Sequence, residues 1–289
     1  MFVIIKKEIK TYFTSFPGYI FLAGFVFLMA LSFYLINIAG LNASFVRTLS
    51  NPSTLLVFLI MIPLLTMQLF CEETKQRTDQ LLYTAPVSVS AIVIGKYLGA
   101  VSLFLIGIAV TLIFPAIIGF YGSIFLVDVV SVYIGFILMG FCFIAVGLFI
   151  SCLTNSAAVA AVGSFAVFFL FYIMDVIAVF MPRDRFSSAV FLVLLAVGVS
   201  IIIFNATKNI YAGLIFLLLI ATIGFVIYVV NPMFYDAVIF RMLNWFSVLR
   251  RFGNFTRGIL VVADVVYYLA FSAAFVYLTV NTIEKRRWK

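Results

Sequence analysis

Few side chains in this sequence are equipped for chemistry. There is no histidine, and the three cysteines, Cys71, Cys142 and Cys152, each lie in or at the end of an apolar run. A histidine-ligated metal site is therefore excluded, no metal ligands are assigned, and buried free thiols are expected rather than a disulfide framework. The phosphate-binding pattern GxxxxGK[ST] is absent, as are GxSxG and HExxH, so the chain has no recognisable ATPase centre of its own and no catalytic residue is assigned. One ionisable residue stands out: Asp175, inside the apolar run AAVAAVGSFAVFFLFYIMDVIAVFM of residues 157–181. An acid in hydrocarbon costs roughly 3 kcal/mol unless it is paired or hydrated, which makes it a functional candidate. The competing reading is structural: Asp175 lies about six residues from the end of the run, where it meets water or pairs with Arg183 or Arg185.

The elements that must position these residues are membrane helices. The chain is 66% hydrophobic and only 10% charged, whereas soluble domains carry roughly 25% charged residues. A spanning helix needs about 20 apolar residues, and about eight stretches qualify: 17–38, 53–71, 94–121, 129–152, 157–181, 188–204, 210–230 and 260–283. The fold class is thus all-α, a polytopic membrane helical bundle. The net charge of +8 does not point to nucleic acid, because the basic residues sit at span ends. Pro63 and Pro115 should kink their spans, their freed carbonyls being satisfied by neighbouring helices. Gly95-x-x-x-Gly99 and the small residues Ala157, Ala158, Ala160, Ala161 and Gly163 offer surfaces for close helix packing.

Two further segments belong at the membrane surface. Residues 2–13, FVIIKKEIKTYF, place Phe2, Ile5, Ile9 and Tyr12 or Phe13 at helical spacing with Lys6, Lys7 and Lys10 opposite. This predicts an interfacial amphipathic helix; a signal peptide, the competing reading, lacks a small-residue cleavage site. Residues 231–259 are too charged to span, yet apolar residues recur through them at helical spacing. They are expected to lie in, or dip into, the outer interface, with Trp245 and Phe246 suited to the headgroup region.

Orientation follows from basic residues. With both termini cytoplasmic, eleven lie inside (Lys6, Lys7, Lys10, Lys75, Arg77, Lys96, Lys208, Lys285, Arg286, Arg287, Lys289) and seven outside (Arg47, Arg183, Arg185, Arg241, Arg250, Arg251, Arg257). That excess favours N-in, C-in.

The interval 72–96, EETKQRTDQLLYTAPVSVSAIVIGK, is then a cytosolic loop dense in charge and turn residues. Its pattern is helix end, short amphipathic helix with Leu81, Leu82 and Tyr83 as a contact surface, a break at Ala85-Pro86, and a new helix capped by Ser88 or Ser90. The two glutamates Glu72 and Glu73, the run Thr78-x-x-Leu81-Leu82-x-x-Ala85-Pro86-Val87-Ser88, and Gly95-Lys96-Tyr97-Leu98 resemble the permease subunits of ABC-2 type transporters, and most of all the gliding-motility-type branch. Phe252, Phe255, Arg257-Gly258, Asp264-Val265-Val266-Tyr267-Tyr268 and Glu284-Lys285-Arg286-Arg287-Trp288 carry the same resemblance at the C-terminal end. It covers residues 1–181 and 245–289. The chain departs from the family in having Arg77 where a glycine usually precedes the threonine, and an extra helix pair, residues 182–230, beyond the usual six spans.

The resemblance implies an ABC-2 (type V) exporter-like core and a loop, 72–94, that bears a coupling helix docked on a separate cytosolic ABC ATPase. It implies that Glu72 and Glu73 orient the loop, that Arg77, Thr78, Leu81, Leu82 and Pro86 belong to its docking segment, and that Lys96 anchors the third span. The chain binds no cofactor in this reading; ATP and magnesium sit on the partner ATPase. A second copy or a related permease completes the pair, an accessory membrane protein with a large outer domain is expected, and the location is a bacterial plasma membrane. The translocation path falls between permeases, where Phe165, Phe168, Phe169 and Tyr172 are candidates beside Asp175, although aromatics of this kind also serve simply as packing. Trp245, Phe246, Arg257 and Gly258 mark the outer interface. The alternatives are a secondary transporter or channel, which calls for mid-membrane ionisable groups and inverted repeats, and a membrane scaffold in a larger complex.

Overall fold

The structure, a computed structural model, describes residues 2–14, 16–75, 88–121, 125–208, 210–230 and 232–287, with the side chains of Asp175 and Phe246, among others, outside that description. Among the described residues the chain is helical and no strand occurs. Among the described residues, six helical stretches are long and apolar enough to cross a membrane: Phe16–Ile38, Pro52–Lys75, Val89–Tyr121, Leu126–Leu153, Ala157–Met174 and Val262–Arg286. The chain divides into two compact units, Met1–Phe171 with Val248–Lys289, and Tyr172–Ser247.

In the first unit, α1 (Phe2–Thr14) precedes the first span, α2 (Phe16–Phe33), which ends in a π-helical turn at Tyr34–Ile38. Short α3 (Phe45–Ser50) leads into α4 (Pro52–Thr66), where Asn51 accepts from the Ser53 N–H and Pro52 occupies the first turn, the position at which its missing N–H costs nothing. Helix α5 (Cys71–Lys75) continues that span after a turn at 67–70, a break four residues beyond Pro63. Ser88 caps α6 (Val89–Thr111) by accepting from the Ala91 N–H, as one of the two serines was expected to do. Helix α7 (Ile113–Tyr121) extends the same span past a break at Leu112. Pro115 has no N–H to offer the Thr111 carbonyl, and the Tyr133 hydroxyl donates to that oxygen instead, at 3.0 Å. The expected rescue by a neighbouring helix is thus realised at Pro115.

Helix α8 (Leu126–Leu153) is the axis of this unit. It and the span Pro52–Lys75 are the most buried of the six, and α14 (Val262–Arg287) packs along α8. Where lipid is the solvent, helices gain little from hiding apolar surface, so shape complementarity must supply the adhesion. Aromatic rings do much of this: Phe58 contacts Phe136 at 4.5 Å and Phe143 at 5.6 Å between centroids, and Phe104 at 6.0 Å.

The second unit takes the end of α9 (Ala157–Phe180), α10 (Arg185–Thr207), α11 (Ile210–Val230), a 3-10 turn at Pro232–Tyr235 and α12 (Val238–Phe246). Helices α10 and α11 pack on each other and occupy the segment expected to hold the extra pair. The segment 231–259 forms short helices, as its periodicity predicts, but is divided between the units: α12 falls in the second and α13 (Val248–Phe255) in the first.

Candidate functional site

The residues that could work together cluster at the end of the first unit that carries α1. Helix α1 lies against the start of α6 because α6 presents Gly95 and Gly99, one turn apart, to it. A Cβ added at Gly95 would lie 2.7 Å from Ile4 Cγ2, and one at Gly99 would lie 2.7 Å from Glu8 Cβ, so only glycine admits so close an approach. The small-residue surface read from the sequence thus receives the chain's own amphipathic helix.

That approach brings Glu8 over Lys96, which sits between the two glycines. Lys96 is buried, only 3% exposed, and its Nζ meets Glu8 Oε1 at 3.3 Å, Glu73 Oε1 at 2.9 Å and the Leu69 carbonyl oxygen at 2.7 Å. An ammonium has three N–H bonds, and three acceptors surround this one. The Phe70 ring lies 5.2 Å away, and Lys7 on the exposed side reaches Glu73 at 3.6 Å. A lone buried ammonium would be prohibitively costly; here it is compensated by two carboxylates from α1 and α5. Lys96 therefore does more than anchor a span at the surface: it ties three elements together.

Neighbouring contacts complete the joint. The Tyr12 hydroxyl of α1 donates to the Leu65 carbonyl of α4 at 3.3 Å, and burial, reinforced by the Glu8 and Glu72 carboxylates, holds that phenol above its ordinary pKa range. The turn before α5 is fastened to the end of α8: the Phe70 N–H donates to Ser151 Oγ at 3.2 Å, and the Cys71 thiol donates to the Ser151 carbonyl at 3.2 Å. The free thiol expected at Cys71 is buried and spent on this contact.

Of the loop residues singled out in the sequence, Glu73 and Lys96 come together and Glu72 is exposed beside them. Arg77, Thr78, Leu81, Leu82 and Pro86 lie outside the described residues. Sequence reading missed Glu8; its signal was a single acid on the face of α1 that also carries Ile5, Tyr12 and Ile4, opposite the lysines. The aromatic set on α9 is split. Phe168 is fully buried, 4.7 Å from Phe143 between centroids, whereas Phe165 and Phe169 stack on each other at 6.0 Å and are each 44% exposed. Tyr172 is half-buried, and the Asp175 side chain lies outside the description.

A second polar cluster lies at the opposite end of α8, around α13. Asp264, nearly buried, accepts from Arg251 Nη1 at 3.0 Å and from Asn254 Nδ2 at 2.7 Å, while the Arg251 guanidinium lies 4.0 Å from the centre of the Tyr267 ring. The Tyr268 hydroxyl donates to the Val248 carbonyl at 2.6 Å. Phe255 packs into the place of a side chain at Gly135, where a Cβ would meet it at 2.6 Å. Gly258 has φ +73°, a left-handed conformation that lets the chain turn toward α14, and a side chain there would run into Asp128. These contacts account for Phe255, Gly258, Asp264 and Tyr268 of the C-terminal pattern, and Phe252 packs 6.3 Å from Phe136 between centroids; Arg257 is exposed, and so is Trp245 in the second unit.

Among the described residues, no group of histidine, cysteine, aspartate and glutamate side chains is placed to hold a metal ion. Comparison with curated proteins finds no match. A family model described as ABC-2 family transporter protein matches residues 2–188, a stretch that includes α1, the Lys96 cluster and the whole interval from Glu73 to Lys96, and the chain belongs to that family of membrane transporter proteins.

Proposed function

We propose that this chain is the permease subunit of an ATP-driven exporter of the gliding-motility type, and that the Lys96 cluster is the joint through which a separate cytosolic ATPase moves the bundle. The observation that carries this reading is the buried Lys96 ammonium held by Glu8 and Glu73. Glu73 and Lys96 flank the interval that contains Arg77, Thr78, Leu81, Leu82 and Pro86, so one ionic contact closes both ends of the loop onto α1. Force applied to that loop reaches α5 through Glu73, α6 through Lys96 and α1 through Glu8, and the three elements move as one.

In this reading ATP and magnesium bind the partner ATPase, and the α1 end of the unit faces the cytoplasm of a bacterial cell, as do both termini. Two permeases, identical or related, form the transport unit, and an accessory membrane protein with an outer domain completes it. The exposed pair Phe165 and Phe169 is better suited to line a path between permeases than the buried Phe168.

The test is a pull-down of the tagged chain from mild detergent, followed by identification of its companions and an ATPase assay. A stoichiometric ATPase that is lost on Leu81→Asp or Leu82→Asp, with the chain still folded, is the expected result. A chain that comes without an ATPase, under conditions shown to preserve other complexes of the same membrane, overturns the reading and makes Asp175 the residue to test for ion-coupled transport.

A further inference from the structure

The second unit contains a cavity with no part in the coupling joint. Helices α10 and α11, the 3-10 turn and α12 enclose about 670 Å³, within the range of roughly 300–1,000 Å³ typical of small-ligand sites. Its walls are apolar, with Leu192, Ala196, Leu217 and Ile220 among them, and Phe186 and Val193 at its edge are largely exposed. The Tyr235 hydroxyl, which could have served a bound polar group, already donates to the Gly224 carbonyl at 2.6 Å. Water in such a space finds too few partners to be held, so the occupant must be apolar.

A neighbouring cavity of about 420 Å³ shares Phe234 and Met242 with the first and adds Arg241 and Trp245 to its wall. Arg241 is exposed but fixed: Nη2 donates to the Phe234 carbonyl and, at 2.8 Å, to the Asp236 carbonyl. Among the described residues its Nε and Nη1 have no acceptor. The Asp236 carboxylate bonds directly to Arg185 at 2.6 Å and acts on Arg241 only through space, so these Arg241 N–H groups stay available to a ligand. An apolar space beside an oriented guanidinium with N–H donors to spare is complementary to a molecule with a hydrocarbon chain and an anionic head.

We infer that the second unit binds an anionic phospholipid, with an acyl chain in the larger cavity and the phosphate at Arg241. The ligand is a lipid rather than a free phosphate because the cavity demands a chain, and lipid is the medium of a protein with several helices long and apolar enough to cross a membrane.

The experiment is native mass spectrometry of the full chain, with any subunits that accompany it, after reconstitution in vesicles of equal parts phosphatidylcholine and phosphatidylglycerol. The protein is expected to keep phosphatidylglycerol in preference to phosphatidylcholine, and added inorganic phosphate does not displace it. Arg241→Gln lowers that preference about five-fold, the contribution of one basic residue to an anionic lipid surface. Val193→Trp at the mouth and Ala196→Phe in the wall reduce retention of both lipids; the mouth position is exposed enough that the fold tolerates the change. Equal retention of the two lipids by the parent protein, or full retention of phosphatidylglycerol by folded Val193→Trp, overturns the inference.

Discussion

The two polar clusters of the first unit solve the same problem, a charge in a low-dielectric place, on different plans. At the α1 end a lysine joins partners far apart in the chain: Lys96 and Glu8 are 88 residues apart, and Lys96 and Leu69 are 27 apart. At the α13 end an arginine joins near neighbours, with Arg251 and Asp264 separated by 13 residues and Asn254 and Asp264 by 10. The first cluster closes on three separate elements and registers any movement among them. The second fixes a turn to the helix that follows it. Side-chain chemistry agrees with this division: an ammonium rotates freely and exchanges acceptors, whereas a planar guanidinium stacked on Tyr267 specifies one geometry. Burial of an ion pair thus says little about its role; the elements that it joins decide it.

The largest effects should come from removing the cations. Lys96→Met strands Glu8 and takes from Glu73 its nearest cation, and Arg251→Met strands Asp264; each is expected to cost about 3–5 kcal/mol of stability, read as the loss of thermal resistance in detergent. The two should part company in a second measurement. The triple variant Glu8→Gln, Lys96→Met, Glu73→Gln removes all three charges together and should recover most of the stability while ATP-dependent transport in vesicles stays impaired. Arg251→Met combined with Asp264→Asn should recover both. If the neutralised Lys96 cluster transports as the parent does, the distinction between joint and staple is wrong.

Glycines give the next largest effect. Gly99→Leu forces α1 away from α6, because a side chain there meets Glu8, and overpacking of this kind costs about 1–3 kcal/mol. Gly258→Ala imposes a left-handed conformation on an L residue, about 1–2 kcal/mol, in addition to the encounter with Asp128. Both should lower the unfolding temperature, but only Gly99→Leu should expose α1 to limited proteolysis in the folded protein. Cleavage within α1 at the parent rate would show that the helix is held by something other than the glycine contact.

Much of this architecture was legible in the sequence, and the reasons are physical. Span length and the near absence of charge dictate a helical membrane bundle, and the amphipathic pattern of FVIIKKEIKTYF dictates α1, because 3.6-residue periodicity survives any tertiary context. The Ser88 cap and the Pro115 rescue follow from backbone hydrogen bonding alone. Partner choice was not legible. Lys96 read as a surface anchor because its sequence neighbourhood is a span end; the carboxylates that bury it come from residues 8 and 73, a pairing set by tertiary packing. Phe168 and its neighbours Phe165 and Phe169 are the same residue type on one helix, and only the position of α8 sorts core from exposed face. The cavity of the second unit was likewise hidden, since apolar residues that line a space and those that fill one are identical in sequence.

A smaller effect is expected where a neutral hydrogen bond replaces an ion. Tyr133→Phe leaves the Thr111 carbonyl without its hydroxyl donor beside Pro115 and should cost about 1 kcal/mol. Thermal unfolding in the same detergent checks this, and a shift as large as that of Lys96→Met would mean that the break at Leu112, rather than the ionic joint, governs the bundle.

The smallest effect is expected at the exposed pair, Arg185 and Asp236, which serves as a control for both buried clusters. The hydrogen bond from Arg185 holds the Asp236 carboxyl below its ordinary range, as the Ser187 N–H and hydroxyl do for Asp184. A carboxylate whose pKa is lower in the folded protein adds stability above its unfolded pKa, near 4, and that contribution is lost as pH falls through the folded value. Amide exchange of Ala237, whose N–H donates to the Arg183 carbonyl at 3.1 Å, is the local reporter. Corrected for its intrinsic rate, its protection should decline slightly on acidification below the usual carboxylate range, and added salt at neutral pH should act in the same direction because water screens an exposed pair. The clusters at Lys96 and Arg251 should respond much less to that salt, since Lys96 and Asp264 are buried whereas both partners of the exposed pair are 47% exposed. A salt response at Lys96 equal to that of the exposed pair would mean that water reaches the joint, and the case for a sealed ionic link between the loop and α1 would fail with it.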